Sequence, residues 1–355
     1  MTRVLMKGNE AIGEAAVRAG CRYFFGYPIT PQSELIHYLA RRLPEVGGLY
    51  LQGESEVASI NMVYGAAAAG ARVMTASSGP GISLMQEGFS YLAGAELPCV
   101  VVNFMRGGPG LGNIAPSQAD YFQATKGGGH GDYHMIVLAP NSVQEMIDQT
   151  IMAFELADQY RNTVMVMADG IMAQMMEPVD LEEEKELELP VKTWATTGTA
   201  YHEGRNVINS CYVIPEVEEV VNLRLEKKYQ QIIKNEQRCD SYLLEDAEIA
   251  LVAFGTASRL CMSVVEKARE MGIPAGLIRP VTLWPFPHDY IGAIADRFKF
   301  MLAVEMNMGQ MQEDVQLAVR GKVPVYHYGR LGGMVPLVRD ILAELVRLYE
   351  GGAGK

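Results

Sequence analysis

The sequence contains few cysteines, and no two of them are closely spaced. Its five cysteines are scattered along the chain and none belongs to a C-x-x-C motif. Cysteine-ligated zinc sites and iron–sulfur clusters need thiolate ligands grouped at short spacings, so neither can be built from this chain alone. If the function involves electron transfer, a partner chain must carry the redox centre.

Long apolar runs and an excess of positive charge are also missing. No apolar stretch approaches the roughly 18 to 20 residues that span a bilayer. Lys7 and Glu10 lie where a signal peptide needs an apolar run. We therefore expect a cytoplasmic protein without a membrane segment. The chain has 30 Lys and Arg against 42 Asp and Glu, with no basic stripe, which argues against nucleic-acid binding.

Much of the negative charge is local. Residues 177–190 hold seven acidic side chains and one basic side chain, which predicts a solvated connector rather than an interaction tail. The whole chain has 355 residues, 49% hydrophobic and 20% charged, with 36 glycines. This is globular composition and excludes disorder, collagen and coiled coil. The length predicts two domains.

Over residues 1–180, short β-rich runs alternate with stretches of helical period. This alternation predicts an α/β fold, a doubly wound parallel sheet with helices on both faces. The predicted strands are Tyr23–Gly26, Leu49–Gln52, Val73–Ala76, Cys99–Phe104, Met135–Leu138 and Thr163–Met167. The predicted helices are Gly8–Ala19, Pro31–Arg42, Glu56–Ala69, Gly81–Leu92 and Ser142–Ala157.

Residues 181–245 interrupt the alternation and predict a linker. Apolar side chains from Val217 to Ile232 recur every three or four residues there, which predicts one long amphipathic helix. It could cross between domains, dock on a partner, or pack on the core of its own chain. From Glu248 the alternation resumes, so residues 246–355 are predicted to form a second, smaller α/β domain.

Polar clusters follow several predicted strands, and the carboxyl edge of a parallel sheet is where ligands bind. The first cluster runs from Tyr27 to Glu34. We expect Thr30 to be a helix N-cap with its hydroxyl facing outward, suited to a carboxylate or phosphate, or else merely to cap its helix. Glu56 begins an apolar helix. It could simply pair with the helix dipole, or it could be catalytic, because a carboxylate in such surroundings is costly without a partner.

Two glycine-rich clusters follow later strands. Thr75–Gly81 matches neither the P-loop nor the dinucleotide-binding fingerprint. Asn103–Gly110 places Arg106 at a strand end, where its fork suits a planar carboxylate, although a surface arginine in a loop is the alternative. The segment Gly127–His134 contains two histidines and one aspartate. A flexible turn is favoured there over a metal site, because no second ligand set follows.

The ordered set YPITPQSE, GESEVAS, TASSGPGISLMQEG and NFMRGGPG resembles the α subunit of 2-oxoacid:ferredoxin oxidoreductases of the multi-subunit form. The resemblance covers nearly the whole chain and is closest to subunits for branched-chain 2-oxoacids, then to those for 2-oxoglutarate. It implies a pyrimidine-binding thiamine diphosphate domain followed by a transketolase C-terminal-like domain.

The resemblance also implies residue roles. Glu56 would be catalytic, hydrogen-bonding N1′ of the aminopyrimidine ring and favouring its imino tautomer. Thr30 and Arg106 would bind the carboxylate of the substrate. The cofactor-binding residues would be Tyr27, Pro28, Ile29, Glu56 and Gly79. Gln32 follows the second proline of YPITP, where many relatives carry a small residue, and its role stays open.

The resemblance implies that the active site is shared. The diphosphate and Mg²⁺ site of thiamine enzymes has a GDG motif with a later asparagine, and only Ala168-Asp169-Gly170 comes near it, so no metal site is expected on this chain. A β subunit would supply the diphosphate and Mg²⁺ half. A γ subunit and a ferredoxin-like δ subunit with [4Fe-4S] clusters would complete the complex, with coenzyme A as acyl acceptor and external ferredoxin as electron acceptor.

These features predict oxidative decarboxylation of a 2-oxoacid, with 3-methyl-2-oxobutanoate favoured and 2-oxoglutarate as the alternative. Two further hypotheses remain. The chain could be the β chain of a lipoamide-linked oxoacid dehydrogenase, or a scaffold subunit whose site has decayed. Retention of Glu56, Thr30 and Arg106 argues against the scaffold.

Overall fold

The computed structural model describes residues 2–182, 187–200 and 203–351. Part of the predicted acidic connector, residues 183–186, lies outside this description. The strands are β1 (Thr2–Lys7), β2 (Tyr23–Gly26), β3 (Leu49–Gln52), β4 (Val73–Ser77), β5 (Cys99–Met105), β6 (Ile136–Leu138), β7 (Thr163–Asp169), β8 (Met176–Leu181), β9 (Cys239–Tyr242), β10 (Ile249–Val252), β11 (Ala275–Pro280), β12 (Thr282–Trp284), β13 (Met301–Glu305) and β14 (Val325–Gly329).

The helices alternate with these strands. They are α1 (Gly8–Arg18), α2 (Ser33–Glu45), α3 (Glu56–Ala68), α4 (Pro80–Leu84), α5 (Gln86–Gly94), α6 (Tyr121–Thr125), α7 (Val143–Tyr160), α8 (Gly170–Gln174), α9 (Pro215–Asn235), α10 (Gly255–Glu270), α11 (His288–Ile294), α12 (Gln310–Val319) and α13 (Val338–Glu350). Within the described residues, no helix is both long and apolar enough to cross a lipid bilayer.

Seven strands form the first sheet in the order β12-β6-β7-β5-β4-β2-β3, and all but β12 run parallel. Strands β5 and β7 are buried along their whole length, which explains their nearly continuous apolar sequences. The predicted parallel α/β sheet is thus confirmed. Chain order reverses between β2 and β4, and such a switch point opens a crevice at the carboxyl ends of the strands.

Two predicted helix positions need correction. The chain over Gly81–Leu92 forms two helices, α4 and α5, which meet at the buried Met85. Helix α2 starts at Ser33 rather than Pro31, because the backbone NH of Gln32 is still bonded to the carbonyl of Ile29 in a tight turn. By contrast Ser142 caps α7, where its hydroxyl accepts the backbone NH of Glu145 at 3.1 Å.

The second sheet has the order β14-β13-β10-β11-β9, with β9 antiparallel at one edge. Helices α10 and α13 cover one face. On the other face, α11 and α12 contribute Ile291 and Val315 to an apolar cluster that also contains Val101 and Met105 of the first sheet. One continuous core therefore joins the two sheets.

Polar contacts also cross between the sheets. The side chain of Gln118 accepts from the backbone NH of Met306 at 3.0 Å and donates to the carbonyl of Phe254 at 2.8 Å. Strand β12 leaves the second sheet and pairs antiparallel with β6 at the edge of the first. The division of the chain at residues 181 and 246 stays a prediction.

Helix α9 packs on the first sheet's side of the molecule. Val221, Leu225, Tyr229 and Ile232 are buried in the cluster that contains α1, α2 and α7 side chains, whereas Val217 is exposed. The apolar stripe of this helix therefore fills the core of its own chain. Tyr229 also makes an edge contact with the ring of His134, with ring centroids 5.3 Å apart.

His134 supports a prediction about pH. Its ring stacks on Trp284 of β12 at 4.5 Å, and burial, followed by the charge of Lys126, lowers the pKa of His134. An unfolded chain takes up a proton here near pH 6.5, whereas the folded chain resists it, so acidification destabilises the fold. Replacing His134 by phenylalanine keeps an aromatic ring and removes the titration.

We therefore expect the free energy of unfolding to fall less in His134→Phe than in the natural chain when the pH is lowered from 7.5 to 5.5. The free energy of unfolding in urea, measured at both pH values, checks this. His37→Phe, at an exposed position on α2, is the control for replacing a histidine by phenylalanine. Parallel pH profiles for the natural chain and His134→Phe would contradict the prediction.

Candidate active site

The carboxyl ends of β2, β3, β4 and β5 bring the predicted site residues to one edge of the first sheet. Arg106 follows β5 and donates from Nη1 to the carbonyl oxygen of Thr30, which follows β2, at 3.1 Å. Gly79 follows β4 and lies so close that a Cβ there would be 2.9 Å from Arg106 Nε. Glu56 follows β3 as the first residue of α3.

Glu56 is a buried carboxylate without a cation. Its side chain is 6% exposed, and its Oε1 lies 3.5 Å from the hydroxyl of Ser77 at the end of β4. Among the described residues, no basic side chain lies within ion-pair distance of it. Ser55 performs the helix capping, since its hydroxyl accepts the backbone NH of Ala58 at 3.2 Å. Glu56 is therefore not needed as a cap and is free to act on a ligand.

Two glycines let the backbone pass close to the Glu56 side chain. A Cβ on Gly81 would overlap both Glu56 Oε1 and the hydroxyl of Ser77. Gly79 has φ +50°, a conformation that side chains rarely adopt. The segment Gly79–Gly81 thus forms a glycine cradle, in which the backbone comes close to Glu56 and Arg106.

Arg106 is buried rather than a surface arginine. It is 8% exposed, and its two terminal nitrogens donate to the carbonyls of Thr30 and Leu111, each at 3.1 Å. The Nε is buried and has no hydrogen-bond partner among the described residues. The guanidinium therefore holds two loops in place and retains N–H groups for a ligand.

Thr30 is exposed and is not a helix cap, contrary to the prediction. The N-cap of α2 is Gln32, whose side chain makes no capping bond. Tyr27 and Pro28 are exposed and Ile29 is half-buried in the same turn. Because its hydroxyl is not used by the helix, Thr30 can present it to a ligand at the sheet edge.

Two residues near this edge escaped sequence analysis. Asn103 lies beside Ser77 in the parallel register of β5 and β4, and its Nδ2 donates to Asp120 Oδ2 at 3.0 Å. Burial raises the pKa of Asp120, and the bond from Asn103 and the charge of Arg106 oppose that rise. An asparagine within a fully buried strand was the available signal, but its partner Asp120 lies 17 residues later, outside the strand.

Several buried polar atoms at this edge lack partners within the described structure. They are Ser78 Oγ, Asn103 Oδ1 and Arg106 Nε. Buried polar atoms are nearly always hydrogen-bonded, so orphans grouped beside a cradle indicate a polar ligand. Together with the carboxylate of Glu56, this donor and acceptor set fits the aminopyrimidine half of thiamine diphosphate.

The structure gives Asp169 a different setting from that of a diphosphate or metal site. Asp169 is fully buried, and its Oδ1 accepts backbone NH groups of α8 and the hydroxyl of Thr256 at 2.9 Å. Burial raises the pKa of this carboxyl. It thus caps a short helix and links the two sheets. No three His, Cys, Asp or Glu side chains in the described ranges could hold a metal ion together.

The segment Gly127–His134 lies apart from Glu56. It borders a cavity of about 460 Å³ against α9, and neither Glu56, Thr30 nor Arg106 lines that cavity. His134 lies within an aromatic cluster with Trp284 and Tyr229. The candidate site is instead the group of residues around Glu56 and Arg106 at the carboxyl edge of the first sheet.

Comparisons with known proteins show the family to which the chain belongs. Residues 14–239 match the family described as pyruvate flavodoxin/ferredoxin oxidoreductase, thiamine diphosphate-binding, and residues 247–341 match pyruvate:ferredoxin oxidoreductase core domain II. The ketoisovalerate oxidoreductase subunit VorB of Methanothermobacter thermautotrophicus is 52% identical, and the alignment covers 97% of each chain. The 2-oxoglutarate synthase subunit KorA of Methanocaldococcus jannaschii is 40% identical, with 92% of this chain and 95% of that protein covered.

Solved structures show the same fold. The 2-oxoglutarate:ferredoxin oxidoreductase of Magnetococcus marinus, solved with 2-oxoglutarate, coenzyme A and succinyl-CoA bound, superposes with a TM-score of 0.86 at 26% identity. That alignment covers 97% of this chain and 65% of the solved chain. A split-gene transketolase in an inactive β4 tetramer superposes with a TM-score of 0.62 at 13% identity, which bears on the fold alone.

Proposed function

Since this chain belongs to the pyruvate flavodoxin/ferredoxin oxidoreductase family, we propose that it is the α subunit of a 2-oxoacid:ferredoxin oxidoreductase. The reaction converts one 2-oxoacid, coenzyme A and two oxidised ferredoxins to acyl-CoA, CO₂, two reduced ferredoxins and one proton. One observation carries the proposal. Glu56 is a buried carboxylate that pairs with no basic side chain of the described structure, at the switch point of the sheet and beside a glycine cradle.

When bound, thiamine diphosphate supplies the nucleophilic carbon for decarboxylation. Glu56 holds or releases a proton at N1′ of the aminopyrimidine ring, because a desolvated carboxylate bonds strongly to a protonated ring nitrogen. Gly79 and the turn Tyr27–Ile29 line the space for the ring. Thr30 and Arg106 orient the carboxylate of the substrate through a hydroxyl and a planar cation.

The cofactor is held jointly with a partner in this proposal. The chain offers a cradle for the ring half, whereas its nearest match to a diphosphate motif, around Asp169, is used inside the fold. A β subunit would bind the diphosphate and Mg²⁺. The five cysteines are scattered, so [4Fe-4S] clusters would lie on γ and ferredoxin-like δ partners that pass electrons to external ferredoxin in the cytoplasm.

A branched-chain substrate, 3-methyl-2-oxobutanoate, is favoured over 2-oxoglutarate. The ketoisovalerate relative is more similar than the 2-oxoglutarate relatives. The loop after Arg106 also carries two exposed apolar side chains, Leu111 and Ile114. These suit an apolar substrate tail, whereas 2-oxoglutarate would need a second cation for its distal carboxylate.

A panel of 2-oxoacids tests this proposal. We expect the purified complex to reduce methyl viologen and form acyl-CoA with 3-methyl-2-oxobutanoate. Its kcat/KM should exceed that for 2-oxoglutarate by about 10-fold or more, since a second buried carboxylate without a cation is costly. A preference for 2-oxoglutarate would overturn the substrate assignment, and activity that requires lipoamide would overturn the reaction class.

A further inference from the structure

The turn between β2 and α2, residues 27–31, is held by side chains from elsewhere in the chain. Gln32 Nε2 donates to the carbonyl of Tyr27 at 2.9 Å. Arg106 donates to the carbonyl of Thr30 at 3.1 Å from the end of β5. The two donors thus hold the turn at the carbonyls of Tyr27 and Thr30.

A third donor reaches the same turn from α1. Asn9 Nδ2 donates to the carbonyl of Pro31 at 3.0 Å, and Asn9 is fully buried. The backbone NH of Gln32 donates to a fourth carbonyl of the turn, that of Ile29, at 3.0 Å. Four carbonyls of the turn, those of Tyr27, Ile29, Thr30 and Pro31, therefore accept hydrogen bonds. Their donors come from separate parts of the chain, which makes the turn rigid.

Gln32 itself cannot reach a ligand directly. Its side chain is 0% exposed, and it lies beneath the turn rather than at the crevice. Its Oε1 is buried and has no partner among the described residues. A buried amide whose oxygen lacks a hydrogen-bond donor destabilises the fold, so stability does not explain why a polar side chain occupies this position. What the amide does provide is the bond to Tyr27.

From this arrangement we infer that Gln32 is a positioning residue for 2-oxoacid binding. Its bond to Tyr27 sets the path of the turn and with it the place of the Thr30 hydroxyl. The effect reaches the substrate through the backbone. This inference rests on the proposed function, because it presumes that Thr30 contacts the carboxylate of the oxoacid.

Gln32→Met in the assembled complex tests the inference. Methionine matches the length and burial of glutamine but cannot donate to the Tyr27 carbonyl. We expect KM for the 2-oxoacid to rise about 5-fold, the loss of one neutral hydrogen bond, with KM for coenzyme A unchanged. The kcat should stay within about 2-fold, since Glu56 is untouched. Gln149→Met is the control, a buried glutamine on α7 that is expected to leave both KM values unchanged.

Other outcomes would overturn the inference. An unchanged KM for the oxoacid would show that the turn does not need Gln32. A lower kcat together with similar rises in both KM values and a lower melting temperature would show a merely structural role. Should Gln32→Met not assemble, Gln32→Leu gives the same comparison. If the natural complex is inactive with every 2-oxoacid of the panel described above, the proposed function and this inference are both overturned.

Discussion

Replacing Glu56 by glutamine is expected to lower kcat of the assembled complex by about 100- to 10,000-fold, the usual contribution of a positioned acid or base. Glutamine keeps the size of the side chain and its place beside Ser77, but it cannot hold or release the proton. The rate of viologen reduction at saturating 2-oxoacid and coenzyme A measures the effect. Glu54→Gln, an exposed position two residues earlier, is the matched control and should keep full activity.

The loss should not come from unfolding. Glu56 is buried, and no basic side chain among the described residues pairs with it, so a neutral glutamine there should leave the variant at least as stable as the natural chain. The melting temperature and the subunit composition of the complex check this. Near-normal turnover of Glu56→Gln would remove Glu56 from the catalytic machinery.

Replacing Arg106 by alanine is expected to raise KM for the 2-oxoacid about 10- to 100-fold, with a much smaller change in KM for coenzyme A. In the proposed function, the variant loses the cation that orients the substrate carboxylate. It also loses the bonds to the carbonyls of Thr30 and Leu111 that hold the site in shape. Steady-state kinetics with each substrate varied in turn measure the two KM values. Arg41→Ala, at an exposed position on α2, is the control.

Arg106→Lys separates charge from geometry. Lysine keeps the positive charge but offers a point donor instead of a planar fork, so it cannot span both carbonyls and still face a ligand. We expect KM for the oxoacid to stay several-fold above that of the natural complex. Full recovery with lysine would show that charge alone suffices, and an unchanged KM in Arg106→Ala would remove Arg106 from the pocket.

Much of the first sheet was predictable because its signals are local. The predicted bounds of β2 and β3 coincide with the structure, since short β-rich runs there end at glycine and polar clusters. The resemblance of four ordered motifs pointed to the edge where Glu56 and Arg106 now lie. Strand ends of a parallel sheet converge, so residues far apart in sequence could be expected at one place.

Other features depend on contacts that periodicity does not report. Strand β1 pairs with β8, and β12 joins the first sheet although its sequence neighbours belong to the second. Loops that fold back on the sheet also create contacts of this kind. They bury Gln32 and bring Asp120 to Asn103. Thr30 was wrongly expected to cap α2, because the turn after it delays the start of the helix.

The central claim is that this chain supplies the Glu56 half of a thiamine diphosphate site that a partner completes. Calorimetric titration of thiamine diphosphate with Mg²⁺ into the assembled complex and into the isolated chain tests it most directly. We predict binding to the complex, weakened in Glu56→Gln, and no binding of comparable affinity to the chain alone. Equal affinity of the isolated chain and the complex, or binding that ignores Glu56, would contradict the claim.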